Sequence, residues 1–432
     1  MEYLNIIENN DPQLELYRGI EYENLLRLFI HDCSKLLGKH TFNKKKSPIR
    51  TLTNILSSWM FTLYSSYDFK SDPFFPNDYS NMDNLKITLL NFAQSNSAII
   101  DVYSHIDTIL NNLKINYNKI LLNLSSIPSN IKSSKFEIVK YEKTFNRNKK
   151  DILFYKFDLI HNEIIKYNRL YNILNNILLP ITVYNKLENK YTGVKSNFDL
   201  YVWKMIYRYQ LLGSNNNQLA VLPRILNKMK EDFGMNHELF GSSLNFTLDN
   251  YCSLYYDIEK YFGSSGSFFN YSISDGVYSF NPPYQSDIID IGVHKLIKAL
   301  DDNVNNKLSF ILTIPIWDLT GKKIMKYRHP EKIKIEELDY GEFDIIKIII
   351  NSKYFKQKLM ISKNDFTYLD HNFNLYKNST IQNTYIFVLS NDSSKDFNKY
   401  KNSTIQNTYI FVLSNDSSKD FNKLKNYNFK DY

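Results

Sequence analysis

The stretch that decides the fold reads Val277-Tyr278-Ser279-Phe280-Asn281-Pro282-Pro283-Tyr284, and apolar residues recur at helical spacing beyond it over Asp287–Leu300. The apolar run predicts a buried strand over Val277–Phe280. Two consecutive prolines then fix the backbone and remove two amide donors, so the ladder must end there. The helical period beyond the prolines predicts a helix over Ser286–Asp301. Strand, rigid corner and helix in that order form the repeating unit of an open α/β sheet. Such sheets take ligands outside the carboxyl ends of their strands. One short stretch therefore predicts both a fold class and the place to look for a site.

Working outward, short apolar runs at Glu238–Phe240, Ser309–Ile314, Ile345–Ile350 and Tyr385–Leu389 predict further strands. With a second helix expected over Leu248–Phe262, the alternation argues for a largely parallel sheet with helices on both faces. The N-terminal half reads as helical over Glu21–Leu37, Asn54–Tyr67, Asn84–Leu124, Ile152–Leu179 and Asn197–Leu212, the last ended by Gly213. The expected organisation is an all-α helical domain over 1–196 and a Rossmann-like α/β domain over 197–432. Residues 376–399 and 400–423 are identical, each reading YKNSTIQNTYIFVLSNDSSKDFNK. Solenoid repeats need at least three stacked copies, so this pair reads as a tandem duplication. A closed strand order has room for one copy; the other is expected to add at an edge, lie over the surface or be disordered.

The chain has 432 residues, with 53 Lys and Arg against 45 Asp and Glu. The resulting formal charge of +8 is a mild bias towards anionic partners. Two cysteines, Cys33 and Cys252, exclude a disulfide scaffold and a four-cysteine zinc site. No histidine spacing suggests a metal, no apolar run reaches membrane-spanning length, and no secretory pattern opens the chain, so an intracellular setting is expected. The abundance of Asn, Lys, Ile, Tyr and Phe follows from an A/T-rich genome, such as that of a large DNA virus or a protist. It also warns against reading every aromatic as a stacking platform.

The corner carries specific chemistry. The pattern [Asn/Asp/Ser]-Pro-Pro-[aromatic] after a strand is the signature of enzymes that methylate amino groups. An exocyclic amine on adenine is a poor nucleophile because its lone pair is delocalised into the ring. The side-chain oxygen of Asn281 and the backbone carbonyl of Pro282 can accept the two amine hydrogens, pulling the nitrogen towards sp³ and aiming its lone pair at a methyl group. Pro283 keeps the loop rigid, and Tyr284 stacks on the base. The donor would be S-adenosylmethionine. Two small-residue loops, Phe240-Gly241-Ser242-Ser243-Leu244-Asn245 and Gly263-Ser264-Ser265-Gly266, are candidates to hold it, through Phe240, Gly241, Ser242, Asn245 and Gly263 together with Asn281. Asp257, Glu259 and Asp275 are each candidates for the donor's ribose hydroxyls. Lys204 and Arg208 share a helix face and are candidates for substrate phosphates, and Trp317, ending the run FILTIPIW, for a pocket wall. The basic stretches Lys44–Lys46 with Arg50, Arg147–Lys150, and Lys322-Lys323 with Lys326, Arg328 and His329 are further candidates for RNA phosphates. No HExxH, GxSxG or P-loop is present, so metalloprotease, hydrolase and kinase readings lack support.

These segments resemble, in order, the phosphorylated-CTD-interacting-factor family of cap-specific adenosine N6-methyltransferases. The matching runs are VWKMIYRYQLL at 202–212, LPRILNKMKEDFG at 222–234, LFGSSLNFTLDNYCSLY at 239–255, YFGSSG at 261–266, FNPPY at 280–284 and FILTIPIW at 310–317, with NTYIFVLSN at 383–391 similar to the family's final strand. The resemblance implies a helical domain beside a methyltransferase domain. It also implies methyl transfer to N6 of the first transcribed adenosine next to a 7-methylguanosine cap, giving N6-methyladenosine or N6,2′-O-dimethyladenosine. By motif it gives Asn281, Pro282, Pro283 and Tyr284 the adenine-binding and catalytic roles, and the two loops the donor site. Family members typically carry Phe where Tyr284 stands. Animal members carry a WW module; Trp59, Trp203 and Trp317 are too dispersed to form one, so no WW-mediated binding of polymerase tails is expected. Adenine N6 methylation of DNA or internal RNA, and an inactive cap-binding relative, are the alternative readings.

Overall fold

The computed structural model describes residues 12–36, 48–66, 71–76, 82–95, 101–125, 138–145, 150–157, 168–175, 177–213, 219–283, 285–304, 307–315, 324–325, 337–338, 344–361, 367–370, 375–376, 384–390 and 413–414. The chain divides into two compact units, 1–214 and 215–432. The division falls after the helix expected to open the second domain, so that helix belongs to the first unit.

The first unit contains α1 (Pro12–Leu36), α2 (Pro48–Leu63), α3 (Asp83–Ser95), α4 (Val102–Asn123), β1 (Ile138–Phe145), β2 (Lys150–Phe157), α5 (Asn168–Asn175), β3 (Ile177–Pro180), α6 (Ile181–Lys190) and α7 (Phe198–Leu211). The expectation of an all-α unit is corrected. β1, β2 and β3 form an antiparallel sheet, and β2 and β3 overlap the two ends of the region read as one helix over Ile152–Leu179. The β2 sequence, KDILFYKF, is dense in aromatic and branched residues, which suit a pleated surface as well as a helix face. The long stretch Asn84–Leu124 is two helices, and Asp101 caps the second through its side chain.

α7 is almost wholly buried, with Trp203 stacked on Tyr207 at 4.9 Å. Its charges are buried too. Arg208 forks onto Glu15 of α1, donating Nε–H to Oε2 at 3.0 Å and an Nη2–H to Oε1. Arg18 donates to the same Glu15 at 2.7 Å and to Asp72 at 2.7 Å. Burial pushes the Glu15 carboxyl upward, but the two guanidiniums outweigh it and hold the group well below the ordinary carboxylate range. Lys204 is also buried, within the electrostatic reach of Glu15. The expectation that Lys204 and Arg208 meet substrate is therefore corrected: their shared face points into the core of this unit and neutralises Glu15.

The second unit contains β4 (Ala220–Val221), α8 (Pro223–Phe233), β5 (Met235–Glu238), β6 (Asn250–Tyr251), α9 (Tyr256–Glu259), β7 (Gly276–Phe280), α10 (Ser286–Asp302), β8 (Leu308–Pro315), β9 (Ile324–Met325), β10 (Glu337–Leu338), α11 (Asp344–Asn351), β11 (Phe355–Ile361), β12 (Tyr368–Leu369), β13 (Leu375–Tyr376), β14 (Thr384–Ser390) and β15 (Leu413–Ser414). The main sheet runs β11-β14-β8-β7-β5-β6. β8, β7, β5 and β6 are mutually parallel, whereas β14 and β11 are antiparallel additions. The parallel part is the α/β framework that the corner predicts. Central β7 is buried along Val277–Phe280, as a strand covered on both faces must be. Ile345–Ile350 is helix α11 rather than a strand, and the expected helix over Leu248–Phe262 is reduced to α9 and a 3₁₀ turn after β6.

The duplication shows itself in the sheet. Leu389 and Ser390 of β14 lie opposite Phe310 and Ser309 of β8, and Leu413 and Ser414 of β15 take the same partners in the same register. The second copy is thus registered on an interior strand and not at a sheet edge; its remaining residues lie outside those described.

Candidate methyl-transfer site

The site is built where β7 stops. The β7 ladder to β8 ends with Phe280 opposite Leu312, and Asn281, half-buried, comes next. Its Nδ2–H donates to the backbone carbonyl of Leu219 at 3.0 Å. Leu219 directly precedes β4, which β12 holds in register through Val221 and Tyr368. The side-chain amide is therefore oriented by a fixed backbone carbonyl, with Oδ1 as the atom turned away from it. Pro282 is buried and Pro283 half-buried. The turn closes when Gln285 N–H donates to the Pro283 carbonyl at 2.7 Å, and α10 starts one residue later. Tyr284 and Trp317 lie outside the described residues.

The loop Phe240–Asn245 leaves β5 beside this corner. β5 and β7 pair in register, Glu238 against Ser279, and the Leu239 N–H donates to the Ser279 carbonyl at 2.8 Å. Phe240, half-buried, sits 5.3 Å from the Phe280 ring and 4.8 Å from Phe268. Within the loop Asn245 Oδ1 accepts from both the N–H and the hydroxyl of Ser242, at 2.9 and 3.0 Å. These two polar residues thus shape the loop by bonding each other. The second loop continues the parallel ladder beside β6. Tyr251 bridges to Ser264, the Ser265 N–H reaches the Tyr251 carbonyl at 2.8 Å, and the Ser253 and Ser264 hydroxyls lie 2.6 Å apart. Gly263 turns there at φ 92°, a conformation that needs glycine.

One carboxylate ties the loops together. Glu259, fully buried, accepts the Ser243 N–H on Oε1 at 2.7 Å and the Tyr255 N–H on Oε2 at 2.9 Å. Tyr251 adds a second tie, its hydroxyl 2.8 Å from that of Ser243 and donating to the Phe262 carbonyl at 2.9 Å. Glu259 is one of three candidates for ribose hydroxyls; both of its oxygens are instead engaged by loop amides. Glu238 does similar work upstream, accepting from the amides of Thr247 and Leu248. Sequence reasoning missed these scaffolding roles, together with Leu219 and His237. His237 is buried on β5 between Cys252 and Tyr271, and burial pushes its imidazole down to about 4, so it is neutral at pH 7. Among the described residues no group of three or more His, Cys, Asp or Glu could hold a metal ion, and no helix is long and apolar enough to cross a membrane.

Residues 180–332 match the family model described as the phosphorylated CTD interacting factor 1 WW domain. Through that segment the chain is similar to the phosphorylated CTD interacting factor 1 family. It is similar to the mouse (Mus musculus) protein named mRNA (2′-O-methyladenosine-N(6)-)-methyltransferase, with 32% identity over 122 residues, or 27% of this chain and 17% of the relative. It is 31% identical to the human (Homo sapiens) protein of the same name, over the same coverage of each chain. The match thus spans about a sixth of the length of either relative. The expectation that this chain lacks the family's WW region is corrected, because the matching model carries that description. The described residues under it fold as α6, α7 and most of the parallel sheet with its loops.

Proposed function

We propose that the protein transfers a methyl group from S-adenosylmethionine to N6 of the adenosine next to the 7-methylguanosine cap of mRNA. The observation that carries the reading is the Asn281-Pro282-Pro283 corner at the carboxyl end of central β7, with its asparagine amide oriented by Leu219. The names of the mouse and human relatives support an mRNA 2′-O-methyladenosine as the substrate.

The residues present fit a nucleoside-bearing donor. The β5 loop and the β7 corner leave neighbouring parallel strands at one edge, and the half-buried ring of Phe240 stands beside Phe280. In this reading Phe240, Gly241, Ser242 and Asn245, with Gly263 on the adjoining loop, hold the donor in a Rossmann-like arrangement. When bound, the donor supplies an activated methyl group on a sulfonium. Asn281 Oδ1 and the Pro282 carbonyl accept the two amine hydrogens and turn the nitrogen lone pair out of the ring plane. Tyr284 stacks on the base. The methylated amine is cationic and releases its proton without a strong base in the chain. A cap-adjacent nucleotide is unpaired, so exposing its base costs little beside flipping one from a duplex.

The test is labelled methyl transfer to matched RNAs beginning with capped A, capped G and uncapped A. Transfer confined to capped A is expected. Equal transfer to capped and uncapped A would move the reading to a general adenine N6-methyltransferase, and none to any adenosine RNA would end it.

A further inference from the structure

Gln285 stands directly after the corner, and its backbone is fully used: its N–H donates to Pro283, and its carbonyl accepts the Ile289 N–H at 3.0 Å as α10 begins. Its side chain is a different matter. The residue is 9% exposed, yet neither Oε1 nor Nε2 has a hydrogen-bond partner. Other buried side-chain atoms without a hydrogen-bond partner occur one to a residue, as in Tyr22, Trp59 and Tyr207; among the described residues Gln285 is the side chain with two such atoms, an amide N–H donor and a carbonyl acceptor. Burying a primary amide in that state is costly, so such a group is retained where something pairs with it.

We propose that Gln285 reads the edge of the substrate base beside the amine. This rests on the adenine reading of the same site. Asn281 and Pro282 take the amine hydrogens there, and on either side of the amine the base edge presents a ring nitrogen, N1 or N7, each an acceptor. An amide carries a donor and an acceptor side by side, matching an adenine edge that offers an amine hydrogen beside a ring nitrogen. Gln285 Nε2–H donates to that ring nitrogen, and Oε1 shares the amine hydrogen on the same side. In guanine the position of the amine is a carbonyl, so an amide kept in the adenine-reading orientation would set Oε1 against another acceptor. Gln285 thus selects adenine, whereas the corner activates it.

The experiment compares wild type with Gln285→Met, similar in shape and without polar partners to satisfy. Affinity for capped RNA beginning with adenosine, 1-deazaadenosine or 7-deazaadenosine is measured by calorimetry without methyl donor, and methyl transfer is measured separately. In wild type, one of the two deaza replacements should weaken binding about tenfold, the range of a good bidentate base contact. Gln285→Met should bind natural adenosine about as weakly and no longer notice that replacement. Its melting temperature should equal or exceed that of wild type, since an unpaired buried amide is removed. Indifference of wild type to both replacements, a deaza penalty that persists undiminished in the variant, or a marked fall in melting temperature would each overturn the proposal. The last outcome would make Gln285 a structural residue. Binding that shows the deaza penalty without methyl transfer would end the proposed activity and leave the base-reading role standing. Absence of adenosine binding in wild type would end both.

Discussion

Asn281 donates its amide hydrogen to the carbonyl of Leu219, across 62 residues of sequence, at 3.0 Å. The residue assigned to grip the amine is itself gripped, by a backbone atom that no side-chain substitution removes. Asn281→Asp replaces the donor with a second oxygen facing that carbonyl, which repels it. Transfer should fall about a hundredfold or more, the scale of losing one aligned polar group at a reacting centre. Asn281→Ala should fall at least as far. Donor affinity, measured by calorimetry, should stay within a few-fold in both.

The tie between the two loops gives a second expectation. Each oxygen of Glu259 accepts one amide hydrogen, so Glu259→Gln sets an NH2 group against an N–H. The loss of one buried charge-assisted bond and the clash of donors should destabilise the second unit by about 2–3 kcal/mol. Donor affinity should drop with it, because the Phe240–Asn245 loop loses its anchor. A thermal melt and a donor titration check both parts.

In the first unit, Arg208→Met removes the forked partner of Glu15 and leaves a buried carboxylate with Arg18. Breaking one side of a buried ion pair costs about 3–5 kcal/mol. The pH response has a definite sign. The folded Glu15 carboxyl lies below its unfolded value, so its stabilisation is complete above the ordinary carboxylate pKa of 4.5 and fades as pH falls below it. Denaturant midpoints of wild type should fall more steeply below pH 4.5 than those of Glu15→Gln.

His237 gives an independent pH signal at higher pH. Its folded value of about 4 lies below the ordinary 6.5. The unfolded chain therefore binds a proton first, and stability is complete above 6.5 and declines as pH falls from 6.5 to 4. The full span is about 3 kcal/mol. His237→Asn should flatten that part of the pH–stability curve, read from denaturant midpoints.

Legibility in the sequence tracks the range of the interactions involved. The strand over 277–280, its corner and the helix after it are local events: an apolar run, a diproline and a 3.6-residue period. Observed β7 and α10 match them within a residue. The apolar run Ile345–Ile350 failed because a continuous apolar stretch has no period to separate a buried helix from a buried strand. Lys204 and Arg208 failed differently. Their four-residue spacing places them on one face, but only Glu15, 193 residues from Arg208, makes that face an inward one. Leu219 was illegible for a similar reason, since its contribution is a carbonyl and any residue type supplies one. Gln285 stood next to the motif and carried no signal until its burial was known.

Two stretches of identical sequence take identical partners on β8. A strand residue offers hydrogen bonds on two sides only, and β7 occupies one of them. The other side has one vacancy and two equal applicants. Excising residues 376–399 or 400–423 produces the same polypeptide, so a single shortened protein should keep the wild-type melting temperature. Phe387→Asp would place a charge at a fully buried position, yet the second copy carries Phe411 as a replacement. The single variants Phe387→Asp and Phe411→Asp should therefore fold, and the double variant should not. Mutation in this stretch goes unpunished until the twin is struck as well, which leaves one copy at liberty to drift towards some other use.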